Sequence, residues 1–366
     1  MAEGTPGSLA VVGTGLIGTS IALAARAAGL DVRGFDPDPE ALQGAVDRGA
    51  LEPAAGVEAC VAGAGIAIVA APMDHVTETA LACLRADPDL VVTDAGSAKT
   101  DVVAAVDAAA NEEEAARFVA GHPMTGSERS GPGAASASLL DGTAWVLCAG
   151  PRTSAASLEV VESLVRAVGA QPLTMDAERH DRLVALISHL PQLASTALMR
   201  VAAVRAAGEP ELMLLAAGGF RDLTRLAASN PELWADILLA NAGRARDAID
   251  VYVDSLHQLG ELLKSGDRDA LIDVFRRSKE ARLEMGAKPS AKVGVAILSV
   301  PIPDRPGVLA DVTSTLGALG INIEDLEIVH SAEGAKGSLH VTVAEGSAEE
   351  AVRALADRGY EVGRLA

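Results

Sequence analysis

Aromatic side chains are scarce in this sequence. Its 366 residues include four Phe, two Trp and two Tyr, 2% of the chain, although 49% of the residues are hydrophobic. The core must therefore be built from Ala, Val, Leu and Ile, and each aromatic position becomes worth locating. Cysteine is scarcer: Cys60, Cys83 and Cys148 are odd in number and widely spaced. They suit neither a disulfide framework nor a metal centre, and no other metal-ligand spacing is present. Long apolar runs are missing. The longest, around Ile66 to Met73, is strand-length, against the ~20 residues that a bilayer span needs. The opening MAEGTPGSLAVVG lacks the basic and apolar regions of a secretory signal. A soluble cytoplasmic protein is expected. Positive charge is also short, with 30 Lys and Arg against 50 Asp and Glu, a formal charge of −20. That balance argues against a nucleic-acid binder, which must neutralise phosphates, and against an anionic membrane surface. An anionic substrate would need a local positive pocket working against the global field.

What is present divides into three parts. Through about residue 175, short apolar strands alternate with Ala-rich amphipathic helices. The strand candidates are Leu9–Val12, Asp31–Phe35, Ile66–Ala70, Leu90–Thr93, Phe118–Ala120 and Ala144–Cys148. This alternation predicts a doubly wound parallel sheet covered on both faces. In SLEVVESLVRAVGA, Val160, Val161, Leu164, Val165 and Val168 share one helical face, and Gly169 ends it. From Met175 to about Gly286 helical periodicity dominates. Pro231 to Gly266 reads as one long helix whose apolar face suits either a dimer partner or a buried central position. GAKPSAK, Gly286 to Lys292, has linker composition. The last residues return to strands at Val293–Val300, Ile321–His330, Ser338–Ala344 and Tyr360–Leu365, with helices at Gly307–Leu319 and Ala348–Asp357. That βαββαβ order is the ferredoxin-like pattern. The expected domains are 1–175, a dinucleotide-binding Rossmann-type domain; 176–288, all helical, for substrate binding and dimerisation; and 292–366, ferredoxin-like.

The first motif is GTGLIG, Gly13 to Gly18, between a strand and a helix. Gly13, Gly15 and Gly18 suit a tight turn, close approach to a pyrophosphate, and close helix–strand packing. Leu16 and Ile17 complete the loop at a helix N-terminus that favours phosphate. Asp36, about twenty residues on at the end of the second strand, can accept hydrogen bonds from a ribose 2′-OH and would repel a 2′-phosphate. That favours NAD over NADP, with Arg33 complicating the local charge. DAGSAKT, Asp94 to Thr100, follows the fourth strand. Its Ser97 suits either a helix cap or a hydrogen bond to cofactor or a catalytic group. GHPMTGSERSG, Gly121 to Gly131, places His122 at the next strand end and Glu128 just beyond. SHLPQ carries His189 beside Pro191, which interrupts helical bonding and hints at a pocket; a buried structural histidine is the plainer alternative. GGFRDLTRLAASNPELW, Gly218 to Trp234, offers Arg221 and Arg225 as guanidinium forks for carboxylates. An exposed charged helix would use the same residues.

Taken in order, GTGLIG with Asp36, DAGSAKT, GHPMTGSE, SHLPQ and GGFRDLTR followed by PELW resemble the prephenate/arogenate dehydrogenase family of tyrosine biosynthesis. The tail, with DRPGVLADV from Asp304 and then GINIEDLE, looks like an ACT domain, a ligand-sensing module of amino-acid metabolism. The resemblance implies an NAD-dependent oxidative decarboxylation of prephenate to 4-hydroxyphenylpyruvate, with arogenate or both substrates as the alternative. It implies His122 as the catalytic histidine on the substrate's ring hydroxyl and Ser97 as its partner towards the nicotinamide. It further implies substrate-binding roles for His189, Arg225, Glu128, Gly218, Asp222 and Trp234, the last reaching across a dimer interface. A homodimer and tyrosine as feedback inhibitor complete the expectation. A neutral histidine, with an ordinary pKa of about 6.5, suits a proton acceptor near neutral pH. Two other readings remain. A 3-hydroxyacid dehydrogenase would need a lysine of the helical region, Lys264 or Lys279, as proton donor. A cofactor-dependent amino-acid sensor would bind tyrosine without turnover.

Overall fold

The computed structural model describes residues 7–126, 129–285, 295–303, 305–330 and 336–365. Glu128, the linker 286–292, the start of the strand at Val293 and Asp304 lie outside the described residues. Contacts divide the chain into two compact units, 1–200 with 225–252, and 201–224 with 253–366.

The first unit is organised by an eight-stranded sheet. Its strands are β1 (Ser8–Val12), β2 (Asp31–Phe35), β3 (Glu52–Pro53), β4 (Ile66–Val69), β5 (Val91–Asp94), β6 (Phe118–Pro123), β7 (Ala144–Ala149) and β8 (Gln171–Thr174). Their spatial order is β3-β2-β1-β4-β5-β6-β7-β8. The chain winds outwards from β1 to β3, then returns to lay β4 on the other side of β1. That reversal opens a crevice at the carboxyl ends of β1 and β4, where open α/β sheets bind ligands. The alternation along β1 shows why both faces are covered. Leu9 and Val11 enter one apolar cluster with Ile66 and Ile68, while Ala10 and Val12 enter the opposite one with Ala67 and Val69. The sheet is parallel through β6, but β7 pairs antiparallel with β6. Apolar alternation carries no information on strand direction, so this reversal was not expected.

The helix read from SLEVVESLVRAVGA spans Ala155–Ala167, with Ser154 accepting from the Ser157 amide as its cap and Val161, Leu164 and Val165 buried. The stretch expected as one helix from Pro231 to Gly266 is two, Pro231–Ala240 and Ala242–Ser265. Asn241 breaks it, with φ −132° and ψ 33°. Its side chain is buried and donates from Nδ2 to the backbone carbonyl of Asp181 at 2.8 Å. A tertiary hydrogen bond thus overrides helical periodicity there. Among the described residues no helix is long and apolar enough to cross a membrane.

In the second unit, the carboxyl-terminal residues form β9 (Val295–Pro303), β10 (Ile323–His330), β11 (Lys336–Ala344) and β12 (Gly363–Leu365). They pair in the order β10-β11-β9-β12, antiparallel throughout. Ala296, Leu298, Val300 and Ile302 alternate inwards along β9 and pack on Val308, Val312 and Leu316 of the helix Val308–Ala318 and on Ala351 and Leu355 of the helix Ala348–Asp357. On the surface, the Asp311 carboxylate accepts from Arg358 Nη1 at 2.9 Å and from the Tyr360 hydroxyl at 2.7 Å.

Candidate active site

The glycine loop has the geometry that its sequence predicts. Gly13 turns with φ +99°, and a Cβ there would lie 2.5 Å from the Ala70 carbonyl oxygen. At Gly18 a Cβ would lie 1.9 Å from the Gly13 carbonyl oxygen, so the helix Leu16–Ala27 can approach β1 only without one. Gly15 is different: nothing stands within 4 Å of where its Cβ would be. It is the N-cap of that helix and offers no side-chain cap. The first helical amides, including those of Leu16 and Ile17, are therefore left for an anion. Asp36 borders the loop. Its Oδ2 accepts from the Thr14 amide at 2.6 Å and the Thr14 hydroxyl at 3.1 Å, and its Oδ1 from the Asp38 amide at 2.9 Å. The Arg33 guanidinium is committed elsewhere, donating to the carbonyls of Ala59 and Ala62. Both of its terminal nitrogens, Nη1 and Nη2, are used in those bonds.

His122 stands near the end of β6. The preceding residue fixes it to β5, because the Gly121 amide donates to Asp94 Oδ1 at 3.0 Å and its carbonyl accepts from Lys99 Nζ at 2.8 Å. Lys99 is fully buried and ion-paired with Asp94. The partner of His122 is a residue outside every motif named above: Nδ1 of His122 lies 2.9 Å from Nε2 of His180. The rings meet edge to face at 5.1 Å between centroids. His180 Nδ1 in turn lies 2.7 Å from Asp181 Oδ1. The Asp181 carboxylate also accepts from the amides of Lys99 at 2.8 Å and Thr100 at 2.9 Å. It thereby caps the helix Thr100–Ala109, the task open to Ser97 on sequence. Ser97 is left with a buried hydroxyl that has no partner among the described residues.

Electrostatics keep His122 neutral. Burial first, then the positive charge that His180 would carry and the Lys99 ammonium, push its pKa well below the ordinary value. Burial works against ionised Asp181, but hydrogen bonds from His180, Thr100 and Lys99 outweigh it and hold that carboxyl at about 2.

A second buried histidine lies on the element that follows. The helix Ala177–Val184 passes through a π turn, Ala185–His189, into the helix Leu190–Ala206. The Leu190 amide donates to the Ala185 carbonyl, five residues back. A π turn is a common mark of a functional site, and here it ends two residues before Pro191. His189 is wholly buried, its pKa lowered chiefly by burial, and its Nε2 has no partner among the described residues. Trp234 meets it edge to face at 6.3 Å. Both rings of this contact belong to the same chain. Gln192 and Ser195 continue the His189 face. Gln192 Nε2 donates to the Leu226 carbonyl and the Ala227 amide donates to Ser195 Oγ, each at 3.0 Å. They pin the turn Arg225–Ala228 to this helix, leaving the Arg225 side chain exposed.

Gly218, Arg221 and Asp222 are exposed and belong to the second unit. Lys264 and Lys279 are exposed too, which removes support from the hydroxyacid dehydrogenase reading. The three cysteines are buried free thiols. Burial raises Cys60 to about 11 and Cys83 and Cys148 to about 12. Among the described residues no cluster could hold a metal ion.

Comparison with known proteins agrees with these features. Residues 21–173 match the family profile described as prephenate dehydrogenase, nucleotide-binding domain. Residues 176–277 match that of the prephenate dehydrogenase dimerization domain. Prephenate dehydrogenase of Bacillus subtilis is 30% identical over 343 residues, 92% of this chain and 91% of that protein. The chain belongs to the prephenate dehydrogenase family. Within that family, cyclohexadienyl dehydrogenase of Zymomonas mobilis is 31% identical over 297 residues, 76% of this chain and 95% of its own. The crystal structure of prephenate dehydrogenase from Aquifex aeolicus with hydroxyphenyl propionate and NAD+ superposes with a TM-score of 0.71 at 29% identity. It covers 76% of this chain and 98% of that one. Residues 296–360 match the ACT domain. The chain is thus a family member with a Rossmann-type domain, a helical region and a carboxyl-terminal ACT domain. The glycine loop precedes the first matched range, so its case rests on its own geometry.

Proposed function

We propose that this chain oxidises prephenate with NAD+ and releases the ring carboxylate as CO2, leaving 4-hydroxyphenylpyruvate. The observation that carries the reading is His122, a neutral imidazole near a strand end whose Nδ1 is engaged by His180, leaving Nε2 for a substrate hydroxyl. The open approach at Gly15, the uncapped helix start and the carboxylate of Asp36 beside the loop, with the Arg33 guanidinium bonded to the Ala59 and Ala62 carbonyls, fit a dinucleotide without a 2′-phosphate. Gly13, Gly15, Leu16, Ile17, Gly18 and Asp36 would hold it. When bound, NAD+ supplies the two-electron acceptor for the ring carbon that bears the hydroxyl.

The protein's own part is positioning and proton transfer. His122 draws off the hydroxyl proton, an assistance typically worth about 10²–10⁴-fold. Ser97 offers its unpaired buried hydroxyl between histidine and nicotinamide. Arg225 and His189 take carboxylate and carbonyl oxygens, at roughly 1.5–3 kcal/mol for each charge-assisted hydrogen bond. Trp234, packed on His189, orients that ring. By family resemblance Gly218 and Asp222 support substrate binding and Glu128 influences which side chain is accepted. The same reading divides the chain at 1–175, 176–288 and 292–366.

NADH formation by the purified chain, with prephenate and arogenate in parallel, tests the reading. Turnover of prephenate supports it. Turnover of arogenate alone moves the chain to the alternative substrate, and turnover of neither overturns the enzyme reading. The chain is further read as a cytoplasmic homodimer inhibited by tyrosine. The exposed apolar side chains Val204, Leu214, Leu215, Leu256 and Phe275 support self-association, which light scattering would measure. The ACT domain supports feedback. Tyrosine inhibition that survives truncation at Gly286 would put the inhibitor in the active site instead.

A further inference from the structure

We propose that Asp181 and His180 are positioning residues that fix the tautomer of His122, holding its proton on Nδ1 and keeping Nε2 bare; the proposal rests on the reading of His122 as proton acceptor. Tautomers in such a chain of contacts are settled from the end that cannot change roles. An ionised carboxylate only accepts. Asp181 already takes two backbone amides, and its Oδ1 faces His180 Nδ1 at 2.7 Å. His180 must therefore carry a proton on Nδ1. In the neutral ring that leaves a lone pair on Nε2, which faces His122 Nδ1 at 2.9 Å. His122 must donate there, so its own lone pair is on Nε2. When His122 takes the substrate's hydroxyl proton on Nε2, its Nδ1–H remains hydrogen-bonded and the new charge faces a polarised His180–Asp181 pair.

Other charges around the array act in the same sense. The buried Lys99 ammonium, neutralised by Asp94, opposes a proton on His122, as does His189. Arg244 approaches Asp181 Oδ2 at 4.0 Å and favours its ionised form. The array is also rigid. His180 and Asp181 are each 1% exposed, and Asp181 is tied to the start of one helix while standing on another. A histidine oriented by a carboxylate through its second nitrogen is a general way of fixing a catalytic tautomer. Here a second imidazole is interposed.

The test uses the full chain with ¹⁵N-labelled histidine and long-range proton–nitrogen correlation spectra, with His122→Asn assigning the signal. The wild-type protein should show His122 protonated on Nδ1 and bare on Nε2. In Asp181→Asn an oxygen at the Oδ2 position can still accept from the Thr100 amide, while the NH2 takes the Oδ1 position that faces His180 Nδ1 and the Lys99 amide. The proton on His122 should then move to Nε2. The expected kcat falls at least ~100-fold, while KM for prephenate and Kd for NAD stay within about three-fold. His180→Phe keeps the Asp181 cap and the ring shape but leaves His122 Nδ1 without an acceptor. It should give mixed tautomers and a kcat lower by ~10-fold or more. A wild-type His122 protonated on Nε2, or a tautomer that neither variant changes, overturns the proposal. A tautomer that switches with kcat unchanged would instead overturn the reading of His122 as proton acceptor.

Discussion

Two aspartates, one in each unit, each gather several partners, to very different effect. Asp181 serves His180 and two backbone amides with a side chain 2% exposed. Asp311, in the ACT domain, serves Arg358 and Tyr360 with a side chain 38% exposed. At Asp311 water competes for every contact, and exposed pairs contribute ~0–1 kcal/mol. At Asp181 nothing replaces the carboxylate if it is lost, and each abandoned donor bears its full desolvation penalty. The lesson is that a contact matters most where no alternative partner is at hand.

The comparison can be broken at several points. The largest effect should come from Asp181→Ala, which strands the His180 Nδ1–H and two amides. A loss of ~3 kcal/mol or more is expected in denaturant unfolding; a loss below ~1 kcal/mol would show that water enters the array. His122→Asn should lower kcat by about 10²–10⁴-fold with NAD binding nearly intact, measured by turnover and by cofactor titration. Arg225→Gln is the intermediate case, because its side chain is exposed to water. With no partner for that side chain among the described residues, it should raise KM for prephenate ~10-fold or more, and an unchanged KM would assign the carboxylate to another cation. Asp311→Asn should cost under ~1 kcal/mol in thermal unfolding.

Acid should separate the two regions as well. The folded pKa of Asp181 is depressed to about 2, so its stabilisation is complete above the unfolded value of about 4. It is lost as pH falls from there towards 2. His122 is also depressed. Below about 6.5 the unfolded chain takes up a proton that the folded chain refuses, so stability declines in that range too. Unfolding followed from pH 7 to 3 should thus show the first unit weakening progressively, with Asp181→Asn flattening the lower part of the curve. For activity, the acid limb of kcat/KM should lie well below 6.5, since the base stays unprotonated there.

Much of the fold was legible because the signals are local. The strand–GTGLIG–helix turn, the inward face of Ala155–Ala167 and the alternation along β9 are each written within about a dozen residues. Other features depend on contacts far along the chain. The break at Asn241 follows from a bond to the Asp181 carbonyl, which periodicity cannot register. β3 is two residues long and β8 four, each containing a proline, too short for a pattern. In the site, His122, Ser97 and His189 stood out through motifs. His180 and Asp181 did not, because AERHDRLV reads as a charged solvated turn of helix. Their meaning arises only when β6, 58 residues away, brings His122 against them. A usable signal was present nonetheless: His180, Asp181, Val184 and Ala185 are all buried, so the two polar residues fall on the face that the apolar pair marks.

The carbonyl ties of Arg33 bear on how this protein could be redesigned. Retuning a dinucleotide pocket towards a 2′-phosphate is usually imagined as removing the acid at the second strand and letting a neighbouring arginine swing in. Here the neighbouring arginine closes the end of the short helix Val57–Val61 through Ala59 and Ala62. Swinging it out would leave those carbonyls to water. Replacing Asp36 alone should therefore yield an enzyme indifferent to both cofactors rather than one converted to NADP, and a true conversion would require a new cation brought in from another position.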